Sequence, residues 1–264
     1  METFILVDIG NTSTTVACNF GKRQKRIQRL PTNQTSSKTI RQVLGRLLFR
    51  RRVDDAIIAS VVPGVTTAWV DVLRELCNRA PLLVSPELNL GIQIHYPHPE
   101  QLGADRLANL AGAVARFGSP VIVADVGTAV TVDAVNQQGR FNGGIIAPGP
   151  AVMLDYLAER TACLPRLSLS TRFPSWGRST KDAMNLGAAV GYRGLLSGII
   201  AHAYARPGLK NASCLLTGGY ATWCARGLTI PCTVDHNLTV DGLAWILQNN
   251  RKAGRSLCPK HRMP

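Results

Sequence analysis

The sequence predicts an α/β protein made of two related lobes. Apolar residues alternate between stretches of period two and stretches of period 3.6, as expected for strands interleaved with helices. A strand–turn–strand pattern also recurs, with three residues aligned at one offset: Asp8 on Asp125, Gly10 on Gly127 and Thr14 on Thr131. Internal similarity at this scale indicates a duplicated lobe rather than a short-period repeat. We therefore expect lobes over residues 1–118 and 119–250, followed by a basic, disordered tail at 251–264.

The first lobe begins with a predicted meander of three strands, at residues 4–7, 14–20 and 25–30. A helix over 35–50 follows, capped by Ser36, with an apolar face formed by Ile40, Val43, Leu44, Leu47 and Leu48. A buried strand over 56–62 ends at Pro63. The next helix presents an apolar stripe made of Val65, Trp69, Val72, Leu73 and Leu76, and a short strand follows at 82–84.

The second lobe repeats the strand pattern after an irregular connection. Residues 85–100 are rich in Pro and His and have no clear periodicity, which predicts a long loop of the kind that often carries function. A helix over 102–117 turns four apolar residues inward, namely Leu107, Leu110, Ala111 and Val114. From Pro120 onward, strands are predicted at 121–124, at 130–135 and near Phe141.

The composition predicts a cytoplasmic protein without a membrane span. No stretch of the 264 residues approaches the ~20 apolar residues that a membrane helix needs. The chain enters a strand within its first residues, so we expect no secretory signal. The seven cysteines are scattered and include no CxxC pair, which indicates neither a zinc site nor a disulfide framework.

The formal net charge of +14 is the unusual feature of the composition, and part of it lies in clusters at 22–26, 50–52 and 251–262. Clustered Lys and Arg can bind nucleic acid by releasing counterions from its phosphates. They can also form an ordinary solvated surface, or steer anionic substrates to a site. No DNA-reading motif accompanies the charge, which favours the last two interpretations over a nucleic-acid partner.

The first candidate site is the pair of strand-end turns, DIGNT at residues 8–12 and DVGTA at residues 125–129. Their glycines let backbone N–H groups approach an anion, and their aspartates can hold hydrated Mg²⁺ that neutralises phosphate charge. An ordinary Asn–Gly hairpin turn is the alternative for the first copy alone. The second copy favours the functional interpretation, because two such turns could hold a triphosphate and its metal.

The second candidate site is GADR at residues 103–106, which opens a predicted helix. A carboxylate at Asp105 is stabilised as an anion by the free N–H groups of a first helical turn, and could accept a proton from a hydroxyl. An exposed ion pair or cap is the alternative, and the spacing alone favours it. The glycine-rich runs at 143–149 and 216–219 could admit a ligand or simply mark turns, and the five histidines lack metal spacing.

Together these segments resemble the type III pantothenate kinases, a family that includes the Bvg accessory factor. The resemblance runs from about residue 4 to residue 247 through DIGNT, a Tyr-Pro loop, GADR, DVGTAVTVD, GGIIAPG, TACLP, STKDAMNLGAAVG and LTGG. It implies two ribonuclease-H-like lobes of the actin, Hsp70 and sugar-kinase superfamily, with a cleft between them. It also implies a cytoplasmic homodimer that uses ATP to phosphorylate pantothenate, the first step of coenzyme A biosynthesis.

The resemblance implies a role for each matching residue. The ATP phosphates would be held by Asp8, Ile9, Gly10, Asn11, Thr12, Ser13, Thr14 and Thr15, assisted by Thr128. The pantothenate pocket would be lined by Tyr96, Gly103, Ala104, Asp105, Arg106 and, from the partner subunit, Thr180. Asp105 would also be the general base. Asp125 would bind the monovalent cation, K⁺ or NH₄⁺, and Asp8 would hold Mg²⁺ through the phosphates.

One departure and two alternatives accompany the resemblance. Many members carry a basic residue directly after DIGNT, whereas this chain has Ser13, Thr14 and Thr15, so we expect weak ATP binding. The same fold could serve a non-catalytic regulator or nucleic-acid binder, as the accessory-factor relatives and the charge suggest. It could also serve a chaperone-like ATPase that needs no acceptor. The presence of Tyr96 with the 103–106 segment counts against both alternatives.

Overall fold

The computed structural model describes residues 2–20 and 24–252. The strands are β1 (Thr3–Ile9), β2 (Ser13–Phe20), β3 (Gln24–Pro31), β4 (Asp55–Ser60), β5 (Leu82–Leu83), β6 (Gln93–Ile94), β7 (Val121–Val126), β8 (Ala129–Val135), β9 (Arg140–Pro148), β10 (Ser213–Thr217) and β11 (Thr233–Val234). The α-helices are α1 (Ser37–Leu48), α2 (Pro63–Cys77), α3 (Ala104–Phe117), α4 (Pro150–Arg160), α5 (Thr180–Tyr204), α6 (Ala221–Ala225) and α7 (Leu238–Lys252). Helices are interleaved with strands and with groups of strands along the chain, which confirms the predicted α/β class.

The described residues form two compact units. The first unit contains the described residues of 1–90, 100–112 and 240–264, and the second contains 91–99 and 113–239. Most of α7 therefore groups with the first unit. The predicted lobe limits at residues 118 and 250 stay predictions. The predicted disordered tail falls mainly on 253–264, which lie outside the described residues.

The first unit is built on a five-stranded sheet of order β3-β2-β1-β4-β5. The antiparallel pairing of β1, β2 and β3 confirms the predicted meander, and β4 lies parallel to β1. Ile5 and Val7 pack in one core with α1 and α2, while Leu6 between them is also fully buried. Because successive side chains of a strand point to opposite faces, both faces of β1 are covered.

Helix α1 begins as its sequence indicates. The Ser36 side chain accepts a hydrogen bond of 3.2 Å from the Thr39 amide, so one of the unpaired N–H groups of the first turn is satisfied. All five apolar residues that were predicted to share one face of this helix are buried against the sheet. The capped start and the apolar face together confirm this helix.

The second unit is built on a six-stranded sheet of order β11-β10-β7-β8-β9-β6. Helix α5 covers one face of this sheet, and its Tyr192, Leu196 and Ile200 pack with Ile122 and Val132. Although α5 is 25 residues long, none of the helices in the described ranges is long and apolar enough to cross a membrane.

The two sheets share one strand order, which supports the duplication inferred from the sequence. The run β3-β2-β1-β4-β5 corresponds to β9-β8-β7-β10-β11, and β6 adds a strand at one edge. One of the three aligned pairs is wrong, however. Asp8 lies opposite Thr15, whereas Asp125 lies opposite Thr131, so Thr131 corresponds to Thr15 and not to Thr14. The reason is that the second turn is one residue shorter, which shifts the alternation of the following strand.

Three other details differ from the sequence-based expectations. Strand β4 ends at Ser60 instead of Val62, because Val62 caps α2 and Pro63 occupies its first turn. Leu76 is 38% exposed, since it lies at the edge of the apolar stripe near the end of α2. The loop predicted over 85–100 contains the short strand β6, which pairs with β9.

Two glycines of the first unit test how its helices pack. A Cβ on Gly242 of α7 would overlap the Ala108 carbonyl oxygen of α3, whereas a Cβ on Gly45 of α1 would meet nothing within 4 Å. We expect Gly242→Ala to lower the free energy of unfolding by about 1–3 kcal/mol. Gly45→Ala should raise it by about 0.5–1 kcal/mol, because alanine is the better helix former. Urea unfolding followed by circular dichroism measures both, and equal effects of the two substitutions would contradict the packing described here.

Candidate active site

The first strand-end turn joins β1 to β2 and is closed by backbone hydrogen bonds. The Gly10 amide donates to the Ser13 carbonyl over 3.1 Å. Thr32, directly after β3, donates from its amide to the Thr12 carbonyl over 3.1 Å and from its hydroxyl to the Gly10 carbonyl over 2.7 Å. These bonds fix the turn from the side of β3, while Asn11, Thr12 and Ser13 are exposed.

Thr14 has a different position from the other residues of this turn. Its side chain is fully buried, and its hydroxyl lies 3.0 Å from the Thr32 hydroxyl. Ile9 is likewise fully buried, whereas Asp8 and Thr15 are partly exposed and face each other across β1 and β2. The hydroxyl of Thr14 therefore supports the turn from inside the unit.

The second strand-end turn, between β7 and β8, is closed in the same way. The Gly127 amide donates to the Ala129 carbonyl over 2.9 Å, and the Gly149 amide, directly after β9, donates to the Thr128 carbonyl over 2.8 Å. A Cβ on Gly149 would overlap the Gly127 carbonyl oxygen and lie 2.5 Å from the Thr128 carbonyl oxygen. Only glycine fits here, which explains the last residue of the GGIIAPG motif.

Asp125 at the end of β7 is in close contact with the LTGG motif. A Cβ on Gly218 would overlap an Asp125 carboxylate oxygen and lie 2.6 Å from the Val126 carbonyl oxygen. The Tyr220 amide donates to that same carbonyl over 3.0 Å. Gly218 also has a φ of +91°, a conformation that side chains other than glycine rarely adopt. The tertiary structure thus brings Gly218 against Asp125, although 92 residues separate them in the sequence.

Asp105 lies in the first turn of α3, as the sequence predicted, and is partly exposed. One carboxylate oxygen accepts a 2.8 Å hydrogen bond from the Arg106 amide, and no ion pair with another described residue neutralises it. A Cβ on Gly103 would lie 2.5 Å from this oxygen, so glycine leaves room for the carboxylate. Ala104 and Arg106 are buried beside it.

Val61 links the GADR segment to the first strand-end turn within the first unit. Its amide donates to the Ile9 carbonyl over 3.1 Å, and a Cβ on Gly103 would lie 3.6 Å from its side chain. The residues around Asp105 therefore lie beside the end of β1, where the DIGNT turn begins. Neither Val61 nor Thr32 belongs to a motif identified in the sequence. Their roles depend mainly on backbone amides, which every residue except proline has.

Tyr96 belongs to the second unit. Its ring centroid lies 5.9 Å from that of the fully buried Phe141, and its ring edge faces Gly143, where a Cβ would lie 3.9 Å away. The His95 amide donates to the Phe141 carbonyl over 2.9 Å. The Tyr-Pro loop is thereby held against β9, at the start of the GGIIAPG motif.

Thr180 is exposed at the start of α5 and lines an apolar groove between α4 and α5. The groove has a volume of about 720 Å³, and its other lining residues include Pro148, Val152, Tyr156, Leu157 and Met184. Ser179 caps α5 by accepting a 3.1 Å hydrogen bond from the Asp182 amide, which holds Thr180 in the first turn. The second unit has other exposed apolar side chains as well, with Val190 62% exposed and Trp176 76% exposed.

Other reactive side chains of the second unit are poor candidates for catalysis. Burial raises the pKa of the Cys214 and Cys224 thiols to about 12, so neither is a thiolate at neutral pH. Burial likewise raises the pKa of the Tyr192 hydroxyl above its ordinary value. Within the described residues no three His, Cys, Asp or Glu side chains come together as a metal site.

The comparison with protein families gives a match over most of the chain. Residues 4–202 match the family model described as type III pantothenate kinase. A type III pantothenate kinase from Akkermansia muciniphila is 39% identical to this chain over 243 residues, which are 91% of this chain and 96% of that protein.

Solved structures give the fold. A protein from Campylobacter jejuni described as a Baf family transcriptional activator aligns with a TM-score of 0.60 at 19% identity, over 94% of this chain and 99% of that one. MreB 5 of Spiroplasma citri bound to AMPPNP aligns with a TM-score of 0.51 at 11% identity, over 96% and 98%. At these identities the likeness concerns the fold alone, and it agrees with the predicted fold class.

Adjacent glycines of the LTGG motif provide a matched test of the contact with Asp125. We expect Gly218→Ala to lower the free energy of unfolding by about 1–3 kcal/mol, because the new methyl group overlaps the Asp125 carboxylate and φ is positive. Gly219→Ala should change it by less than about 0.5 kcal/mol, since a Cβ there meets nothing within 4 Å. Thermal unfolding measures both variants. If Gly218→Ala were as stable as Gly219→Ala, the close contact with Asp125 would be excluded.

Proposed function

This chain belongs to the type III pantothenate kinase family, and we propose that it transfers the γ-phosphoryl group of ATP to pantothenate, the first step of coenzyme A biosynthesis. The observation that carries the proposal is the proximity of the GADR segment to the DIGNT turn, through Val61. A base beside a phosphate-holding turn suits phosphoryl transfer to a hydroxyl, and in the first unit the segment that carries Asp105 lies beside the DIGNT turn.

In this proposal Asp105 is the general base. It accepts a hydrogen bond from the pantothenate hydroxyl and takes the proton as the new O–P bond forms, while the bond between the γ-phosphorus and the bridging oxygen breaks and ADP leaves. Asp105 lies in the first turn of α3, where the N–H groups of a helix have no partner within the helix. General-base help contributes about 10²–10⁴-fold, and positioning supplies most of the rest in a loose transition state.

The phosphates of ATP are held, in this proposal, by the turn from Asp8 to Thr15 and by Thr128. The exposed residues Asn11, Thr12 and Ser13 offer amides and hydroxyls, whereas the buried Thr14 acts by supporting the turn. None of these residues carries a positive charge. Neutral donors bind phosphate less strongly than a lysine or arginine does, so we expect weak ATP affinity.

Two aspartates are suited to cations. Asp8 is the last but one residue of β1 and is partly exposed, and its carboxylate fits a hydrated Mg²⁺ bound through the phosphates. We assign K⁺ or NH₄⁺ to Asp125, because its carboxylate lies near the Val126 carbonyl oxygen, and oxygen donors suit such ions. When bound, these cations supply positive charge that offsets the charge of the transferring phosphoryl group.

The pantothenate pocket is assigned to Tyr96 and to the segment from Gly103 to Arg106, completed by Thr180 of a second copy. The groove between α4 and α5 supports a homodimer, since it exposes apolar side chains of the kind that a second copy would cover. We place the enzyme in the cytoplasm, and the free thiols among the described residues fit a reducing compartment.

Pantothenate-dependent release of ADP tests the proposed function. With ATP, Mg²⁺ and K⁺, we expect ADP release that needs pantothenate and falls when Na⁺ replaces K⁺. Asp105→Asn should lower kcat by about 10²-fold or more while pantothenate and ATP still bind, because only the base is removed. Isothermal titration calorimetry measures the binding.

The matched control is Asp71→Asn, which removes a carboxylate from the exposed face of α2 and should leave kcat unchanged. If Asp105→Asn turned over at nearly the wild-type rate, Asp105 would not be the general base. ADP release without any need for pantothenate would indicate an ATPase, and no release at all would indicate a regulatory protein on this fold.

Mixing two inactive variants tests whether each pantothenate site is formed by both subunits of the dimer. If Thr180 completes the partner's pocket, Asp105→Asn and Thr180→Trp dimers are each inactive, but a mixed dimer carries one intact site. Refolding both variants together should restore about a quarter of wild-type turnover, because half of the dimers carry one intact site of two.

Light scattering confirms that each variant is still a dimer before it is mixed. Tyr156→Glu, in the groove, should give monomers, whereas Leu83→Glu on the first unit should not. Mixtures that stay inactive although mixed dimers form would show that each subunit supplies its own Thr180.

A further inference from the structure

The largest concentration of unbalanced charge lies in the first unit. Between Asp8 and Asp54 the chain has eleven Lys and Arg residues and no Asp or Glu. Among the described residues of this run, Lys25 pairs with Asp241 and Arg41 pairs with Glu75, two acids that are distant in the sequence. The remaining charge includes a cluster where β3 passes the end of α1.

We name this cluster the Phe49 surface, and it consists of Arg26, Arg46, Phe49, Arg50, Arg51 and Arg52. All six residues are exposed, and none of the five arginines forms an ion pair with any residue in the described ranges. Two of these arginines lie over aromatic rings. The Arg26 guanidinium lies 4.2 Å from the Phe49 ring centroid, and the Arg51 guanidinium lies 4.8 Å from that of Phe20.

The backbone conformation of Phe49 is unfavourable for a residue with a side chain. It remains 68% exposed, so its ring gains little from burial. It also ends α1 in the left-handed region, with a φ of 47°, and Arg50 follows with a φ of 63°. Helices that end in this conformation usually have glycine there, because a side chain is strained. An exposed aromatic ring at a strained position is better explained by binding than by folding.

We propose that the Phe49 surface binds single-stranded nucleic acid. Arginines without acidic partners attract phosphates and release their counterions, while an exposed aromatic ring stacks on an unpaired base. A duplex would satisfy only the charge, because its bases are already stacked on each other. This function is separate from the proposed kinase activity, since none of the six residues belongs to the sites assigned to ATP or pantothenate.

The test uses the full chain and a fluorescent oligothymidine of about 20 nucleotides, which is long enough to cover one such site. We expect Arg50→Gln/Arg51→Gln/Arg52→Gln to weaken binding at least about tenfold, and to reduce the slope of log K against log salt by about two. The matched control, Arg206→Gln/Lys210→Gln/Arg226→Gln, removes the same charge from exposed positions of the second unit and should bind like wild type.

Phe49→Gly separates stacking from charge and from stability. Glycine relieves the left-handed strain, so the melting temperature should stay equal or rise, while affinity for oligothymidine falls about fivefold or more. Affinity for inorganic polyphosphate, which has no bases, should not change. Pantothenate-dependent turnover should be retained in all of these variants.

Several results would overturn the proposal. Absence of oligothymidine binding would do so, as would equal weakening by the control triple variant, which would mean that only net charge matters. Duplex DNA bound as tightly as oligothymidine, with no effect of Phe49→Gly, would indicate a general polyanion surface. Capture of the protein by vesicles of anionic phospholipid, without oligothymidine binding, would assign the surface to membranes instead.

Discussion

In both units the position of the candidate site depends on where the third strand of the sheet ends. The amide that follows β3 binds the carbonyl of Thr12, and the amide that follows β9 binds the carbonyl of Thr128. A turn that presents backbone N–H groups to a phosphate is useful only if its own carbonyl groups are held elsewhere. The meander supplies those partners, so the geometry of the turns follows from the pairing of the whole sheet.

The residue that follows the third strand packs more closely against its turn in the second unit than in the first. Thr32 reaches its turn with a hydroxyl as well as an amide, whereas the equivalent approach in the second unit is made by Gly149 without a side chain. Gly218, directly after β10, packs against the end of β7 at Asp125 and Val126. The glycines of two separate motifs are thus explained by one steric requirement, which is room beside the end of β7.

The charged side chains of the candidate active site and those of the Phe49 surface differ in sign and in surroundings. Among the described residues, Asp105 has one backbone amide as its hydrogen-bond donor, and the proposed reaction uses its other carboxylate oxygen for the substrate hydroxyl. The proposed phosphate-binding turns contain no basic residue, although the chain carries a net charge of +14. Much of that charge lies instead around the Phe49 surface, outside the residues assigned to the kinase reaction. Steering of anionic substrates alone does not account for an exposed, strained aromatic ring within it.

The sequence by itself determined most of the strands and helices up to β9, the duplication, and the position of Asp105 in the first turn of α3. These features are local, because periodicity, caps and turn glycines act within a few residues. The tertiary structure decided that Thr131 corresponds to Thr15, since one residue fewer in a turn inverts the faces of the next strand. It also decided that Val61 and Thr32 support the first turn. Both act mainly through backbone amides and over long stretches of chain, and a backbone amide is the same in every residue except proline.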